Sequence, residues 1–430
     1  MSETALKDPL DDSSRHRDPI VVALWALIAA FGTYFCMYMF RKPFTAAAFA
    51  QTTEWGIGLK FLLVASQVAG YTVSKFIGIK LVAELPPRYR AWGIVGLIVV
   101  AQLALVLFAV VPAPWNAVCL FINGLPLGMV FGLVLGFLEG RRLTEALAAG
   151  LCASFILADG VSKSVGKWLL GLGIDEFWMP AAAGGLFLPF LGVFTWMLAG
   201  VARPDRHDVE ARAERSNMTP GERWALFQKH SVGLVTIIIL YLLVTVLRSL
   251  RADFQPEIWK GLGVDAEPSV FTTTELWVSV VVLLVNGSLV MMRNNRLAFY
   301  TSLGICAVGL AWLLAVVLGR RAGMVDPFAY LVMIGLGLYL PYVAIHTTVF
   351  ERLLATTRDK GTSSYLLYLA DSFGYLGYVA VLLGKGSLSK QGDLLGLFEN
   401  AALLAGGLGL ALLVVSVAGF SRSTSVQDSA

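Results

Sequence analysis

LEGRRLTEALAAGLCASFILAD (residues 138–159) and FERLLATTRDKGTSSYLLYLAD (residues 350–371) align without a gap, Glu139 on Glu351 and Leu-Ala-Asp on Leu-Ala-Asp. Both stretches run from a polar loop into an apolar helix, so the acid and the tripeptide hold equivalent loop and helix positions. Self-similarity at such a distance marks a chain built from two repeated halves. In membrane proteins, parallel repeats of this kind place a solute site at their interface.

The rest of the sequence is of the same character. Hydrophobic residues make up 57% of the chain and charged residues 14%, and the mean hydropathy is +0.72. A soluble fold cannot hide that much apolar surface. A helix needs about 20 apolar residues to cross a bilayer. Stretches of that length begin near Ile20, Leu59, Ala91, Trp115, Ala146, Met179, Ser231, Phe271, Leu297, Phe328, Thr362 and Phe398. The expected fold is therefore an all-α membrane protein with twelve transmembrane helices in two six-helix bundles.

The long hydrophilic interruption 203–230 divides the spans six and six, and Pro220 and Glu222 suit a short surface helix after Thr219. The expected organisation is a cytoplasmic tail (1–19), a first bundle (20–202), the linker (203–230), a second bundle (231–421) and a short tail (422–430). With both termini inside, about 20 basic residues fall on the cytoplasmic face and about 6 on the other, as the positive-inside rule requires. The first eighteen residues are polar and the apolar run after them is longer than a signal-peptide core, so that run reads as a retained span. The expected location is a plasma membrane, of the bacterial inner-membrane kind.

A formal net charge of +4 spread over short loops reports orientation, not nucleic-acid binding. The four cysteines, Cys36, Cys119, Cys152 and Cys306, lie in apolar stretches with no CxxC pair, so neither a disulfide framework nor a zinc site is expected. HExxH and GxSxG motifs are absent, which argues against an intramembrane enzyme, and no cofactor is implied.

The informative residues are charges inside apolar runs: Arg41, Lys42, Lys75, Asp159, Lys163, Lys167, Arg248, Arg251, Asp253, Glu275 and Asp371. Each costs about 2.5–3.5 kcal/mol at the centre of a lipid-facing helix. They must face the bundle interior, a wet cavity or a boundary. Basic groups outnumber acids, so an anion is the natural missing partner. Arginine grips phosphate or carboxylate through a planar fork, and lysine adds a point charge. Arg41 and Arg248, one from each half, are the two expected to converge, with Arg41 inside a long first helix that Pro43 perturbs. Asp159 and Lys163, four apart, can also form a plain within-helix ion pair. Glu275 is expected to face water near the outer surface, His346 to pack in the core, and the tyrosines Tyr34, Tyr38, Tyr71, Tyr365, Tyr368, Tyr375 and Tyr378 to line a pore or to pack.

Four segments resemble the organophosphate:phosphate antiporters of the major facilitator superfamily, the glycerol-3-phosphate and hexose-phosphate transporters. GTYFCMYMFRKPFTAAAF (32–49) resembles the family's first helix, with its tyrosine-rich approach to an Arg-Lys pair. YTVSKFIGIKL (71–81) resembles the second, LRSLRADFQP (247–256) the seventh and FGYLG (373–377) the eleventh. The resemblance implies that Arg41 and Arg248 bind substrate between the halves, with Lys75, Tyr38 and Tyr71 nearby. The remaining charges Asp159, Lys163, Asp371, Lys42 and Arg251 are, from their places in apolar runs, the candidates for coupling or gating. The chain departs from the pattern in the fifth helix, where the family carries a histidine and this sequence has Asp159.

The leading expectation is a secondary active transporter, working as a monomer in the lipid bilayer. It moves a small anionic solute, phosphorylated or carboxylated, by alternating access. One alternative is a proton- or sodium-coupled symporter of a neutral or zwitterionic solute using Asp159 and Asp371. Another is a transporter-like receptor that binds without flux.

Overall fold

The computed structural model describes residues 19–50, 58–138, 144–201, 220–357, 363–386 and 393–428. Residues 1–18 of the expected N-terminal tail, 203–219 of the linker, 429–430 of the expected C-terminal tail, and Glu139 lie outside these. Twelve helices among the described residues are long and apolar enough to cross a membrane. In chain order they are α1 (Pro19–Tyr38), α2 (Leu59–Glu84), α3 (Arg90–Val110), α4 (Asn116–Leu138), α5 (Thr144–Gly171), α6 (Met179–Ala199), α7 (Ser231–Asp253), α8 (Pro268–Ser288), α9 (Asn295–Arg321), α10 (Pro327–Ala344), α11 (Ser363–Gly386) and α12 (Leu394–Asp428). In hydrocarbon every backbone N–H and C=O must be satisfied internally, which is why apolar stretches of this length become helices.

The two halves repeat each other in packing as well as in sequence. In the first, α1 packs on α5 and α6, α2 on α4, and α3 on α4 and α6. In the second, the same contacts recur six helices on: α7 with α11 and α12, α8 with α10, and α9 with α10 and α12. Across the seam α2 meets α11 and α5 meets α8. The expected twelve helices in two six-helix bundles are thus the observed fold.

Helix ends follow local chemistry. Asp326 caps α10 by accepting from the backbone N–H groups of Phe328 and Ala329, with Pro327 in the first turn. A short helix does follow Thr219, at Pro220–Lys229. α12 runs on to Asp428, past the expected boundary at 421.

Close approach within and between the halves depends on glycine. A Cβ on Gly124 of α4 would stand 2.2 Å from the Gln67 carbonyl of α2. One on Gly160 of α5 would stand 2.4 Å from the Phe271 carbonyl of α8. Small residues let helix backbones touch where lipid supplies no hydrophobic drive for association. The outward faces stay apolar, with Trp92, Trp196 and Leu404 among the exposed side chains.

Candidate functional site

α1 does not continue through Arg41 as one long helix. It ends at Tyr38, and the N–H groups of Arg41 and Lys42 both donate to the Tyr38 carbonyl, at 3.0 and 2.9 Å. A short 3-10 turn, Pro43–Ala46, follows. Pro43 has no N–H to carry a regular ladder onward. α7 breaks at its equivalent end: it stops at Asp253, and a new short helix, Gln255–Gly261, begins with Pro256 in its first turn. Each half therefore delivers its charges from a helix that breaks inside the protein.

Arg41 and Lys42 are both buried inside the protein. The Arg41 guanidinium stacks 3.9 Å above the Tyr71 ring and 5.7 Å from Tyr38. In the other half Arg248 lies 4.3 Å over Tyr342 and 5.8 Å from Tyr339. Desolvated contacts of this kind are worth about 2 kcal/mol. Both arginines line one cavity, together with Tyr38, Lys42, Asp159, Asp253 and Tyr375. A second adjoins it through Tyr38, Phe155, Arg248 and Tyr375, and adds Tyr71, Lys75, His346 and Asp371. The free passage within each is of water size, so the seam is tightly closed in this conformation.

The other buried charges around these cavities are paired. Lys42 bonds Asp253 across the seam and stands 4.0 Å from Asp159. Lys163 bonds Asp159 within α5, the within-helix pair that the spacing allows. Lys75 bonds Asp371 across the seam at 3.2 Å, and Arg251 meets Glu275 at 2.8 Å inside the second half. Glu275 does not face water: it is fully buried, because Arg251 is turned toward it from α7. In and around the two cavities, six buried cations (Arg41, Lys42, Lys75, Lys163, Arg248, Arg251) thus meet four buried acids (Asp159, Asp253, Glu275, Asp371), leaving two positive charges; farther out, Lys60 pairs with Glu257 and Glu399 with Arg320 and Arg321. Among the described residues no carboxylate lies within ion-pair distance of Arg41 or Arg248, and the buried Nε of each has no hydrogen-bond partner.

Of the residues singled out in the sequence, Arg41, Lys42, Lys75, Tyr38, Tyr71, Asp159, Arg248 and Asp371 line the cavities. Arg251 and Lys163 do not; each supports a lining or neighbouring residue through its ion pair. Of the seven tyrosines, Tyr34, Tyr38, Tyr71, Tyr375 and Tyr378 line the cavities, Tyr368 lines neither and has Lys75 5.6 Å from its ring, and the Tyr365 side chain lies outside the described residues. Two lining or adjoining groups escape sequence reasoning. His346, expected to pack in the core, lines the second cavity, and Tyr241 joins it to Asp371. Their spacing in the chain carries no signal.

On one face the seam is shut by further contacts. Lys60 bonds Glu257, the Phe61 ring packs at a tilt on Phe254 with centroids 4.6 Å apart, and the Ser164 hydroxyl lies 2.7 Å from that of Thr272. All of these lie beside the α1–α2, α5–α6 and α7–α8 connections.

Solved structures similar to this fold include membrane transporters. The chain is similar to a D-xylose-proton symporter at 14% identity and TM-score 0.59, over 92% of this chain and 97% of that one. It is similar to a mutant of the nucleoside transporter NupG at 14% identity and TM-score 0.58, over 93% and 100%. A POT family transporter in complex with 5-aminolevulinic acid matches at 12% identity and TM-score 0.56, over 94% and 96%. At such identities the likeness is one of fold, the major facilitator fold. No curated protein matches the chain in sequence. A family model does, over residues 43–423, and the chain belongs to that family, DUF5690, a family of unknown function.

Proposed function

We propose that the protein is a secondary active transporter that moves a small anionic solute, phosphorylated or carboxylated, by alternating access, with Arg41 and Arg248 gripping the anion. The observation that carries this reading is the charge surplus at the seam. Two arginines, one from each half, share a cavity and have no carboxylate partner among the described residues. Buried charge of this kind is costly until an anion completes it. Without a ligand the two guanidinium groups repel; with one they draw the halves together, which is the differential interaction an alternating carrier needs. The likeness of the segments around Arg41, Lys75 and Arg248 to the organophosphate antiporters supports the same solute class.

Lys75, Tyr38 and Tyr71 complete the substrate contacts in this reading, and Asp159, Lys163, Asp371, Lys42 and Arg251 fix or gate them. The carrier works as a monomer in a bacterial inner membrane, with both termini cytoplasmic. Purified protein screened by thermal unfolding against phosphate esters, carboxylates and neutral solutes tests the reading. An anion in hundredfold excess over its dissociation constant adds about 2.7 kcal/mol of stability. Stabilisation by neutral solutes alone overturns it.

A further inference from the structure

α10 gives way to a π turn, Ile345–Val349, before the helix resumes at Phe350. Such turns recur where a helix re-aims a side chain at a working site. The turn carries His346 into the second cavity, between the Tyr342 ring, stacked at 5.6 Å, and the edge of Phe131, also at 5.6 Å. Its Nδ1 lies 3.2 Å from the Tyr241 hydroxyl. That hydroxyl donates to Asp371 Oδ1 at 2.5 Å.

The hydrogen-bond inventory fixes the ring's tautomer. Tyr241 spends its one proton on Asp371, so its oxygen can only accept from the histidine, and Nδ1 must carry the ring hydrogen. The Nε2 lone pair is left as a base, and Nε2 is buried with no hydrogen-bond partner. The charged groups facing the ring are Lys75 from α2 and Arg248 from α7, which oppose a further positive charge, and Asp371 from α11, which favours it. α4 and α5 present only Phe131 and Phe155, and α1 only tyrosine. An anion seated on Arg248 removes one of the two opposing charges.

We propose that His346 takes up a proton at Nε2 as the anion binds between Arg41 and Arg248, so that anion and proton cross the membrane together. The inference rests on the anion reading above and adds the coupling ion, its site and the sense of coupling. Linkage makes the effect reciprocal: whatever the anion does for proton affinity, the proton does for anion affinity.

Titration calorimetry of the full chain with sulfate and with glycerol 3-phosphate, between pH 6 and 8 and in buffers of different ionisation enthalpy, tests it. Sulfate keeps its two charges throughout, so any proton taken up goes to the protein. Wild-type affinity is expected to fall by up to about tenfold per pH unit toward the alkaline end, with up to one proton taken up per anion. His346→Gln is expected to bind with the wild type's alkaline affinity at every pH and to take up none. Nitrogen NMR of the wild type, which has four histidines, gives a reading independent of how the variant folds: one ring must pass to the imidazolium form when anion is added at constant pH. Binding without proton uptake, or a pH slope that survives His346→Gln, overturns the coupling and leaves the anion site standing. No binding of either anion at any pH overturns both.

Discussion

Lys75 of α2 and Asp371 of α11 meet at 3.2 Å across the seam between the halves, 296 residues apart in the chain and both buried. Such a pair holds the halves together only while each charge lacks a better partner. Removing one member leaves the other buried and uncompensated, at a cost of about 3–5 kcal/mol. Asp371→Asn is therefore expected to lower the unfolding midpoint in detergent markedly. The double variant Lys75→Met with Asp371→Leu is expected to recover much of that loss, because a packed apolar pair needs no counter-ion. Thermal unfolding of the three variants checks this.

Lys163 and Asp159 provide a contrasting case within one helix. Lys163→Met leaves Asp159 with Lys42, 4.0 Å away, as its remaining cation. The loss of stability is expected to be smaller than for Asp159→Asn, which strands Lys163 in the interior. Measured side by side in the same detergent, the reverse order would contradict the pairing described.

Gly160 sets how near α5 comes to α8, since any side chain there meets the Phe271 carbonyl and the Glu275 side chain. Gly160→Leu is expected to hold the halves apart on that face while each half stays folded. A cysteine placed at Thr272, beside Ser164, is then expected to react with a membrane-impermeant maleimide several-fold faster than in the parent. An unchanged rate would mean that the face opens elsewhere.

Lys60 and Glu257 close the same face and can be tested by a double-mutant cycle. A hydrogen bond to a charged group contributes about 1.5–3 kcal/mol, less here because Glu257 is partly exposed. Lys60→Glu is expected to speed labelling at Thr272. Adding Glu257→Lys is expected to slow it again, and failure of that rescue would remove the pair from the closure.

Much of this was legible in the sequence, for reasons that differ by residue. Span length in hydrocarbon fixes helix number, and the repeat around Asp159 and Asp371 divides the chain in two. Arg41 and Arg248 stand out because their charge interrupts apolar runs. Spacing alone reveals the Asp159–Lys163 pair. It cannot reveal Lys42 with Asp253, 211 residues apart. The direction in which Glu275 points is not legible, because a position near a helix start looks like a boundary and only the folded structure brings Arg251 of α7 within 2.8 Å of it. His346 was hidden for a related reason: its use depends on a π turn and on Tyr241, a residue from another helix.

Uptake into proteoliposomes of labelled inorganic phosphate and glycerol 3-phosphate, compared among wild type, Arg41→Lys and Arg248→Lys, goes to the proposed anion site itself. Lysine keeps the charge but loses the forked contact, so each variant is expected to lose about tenfold or more in apparent affinity, the worth of one charge-assisted hydrogen bond. Uptake unchanged in both variants would contradict the assignment of the two arginines as the anion's grip.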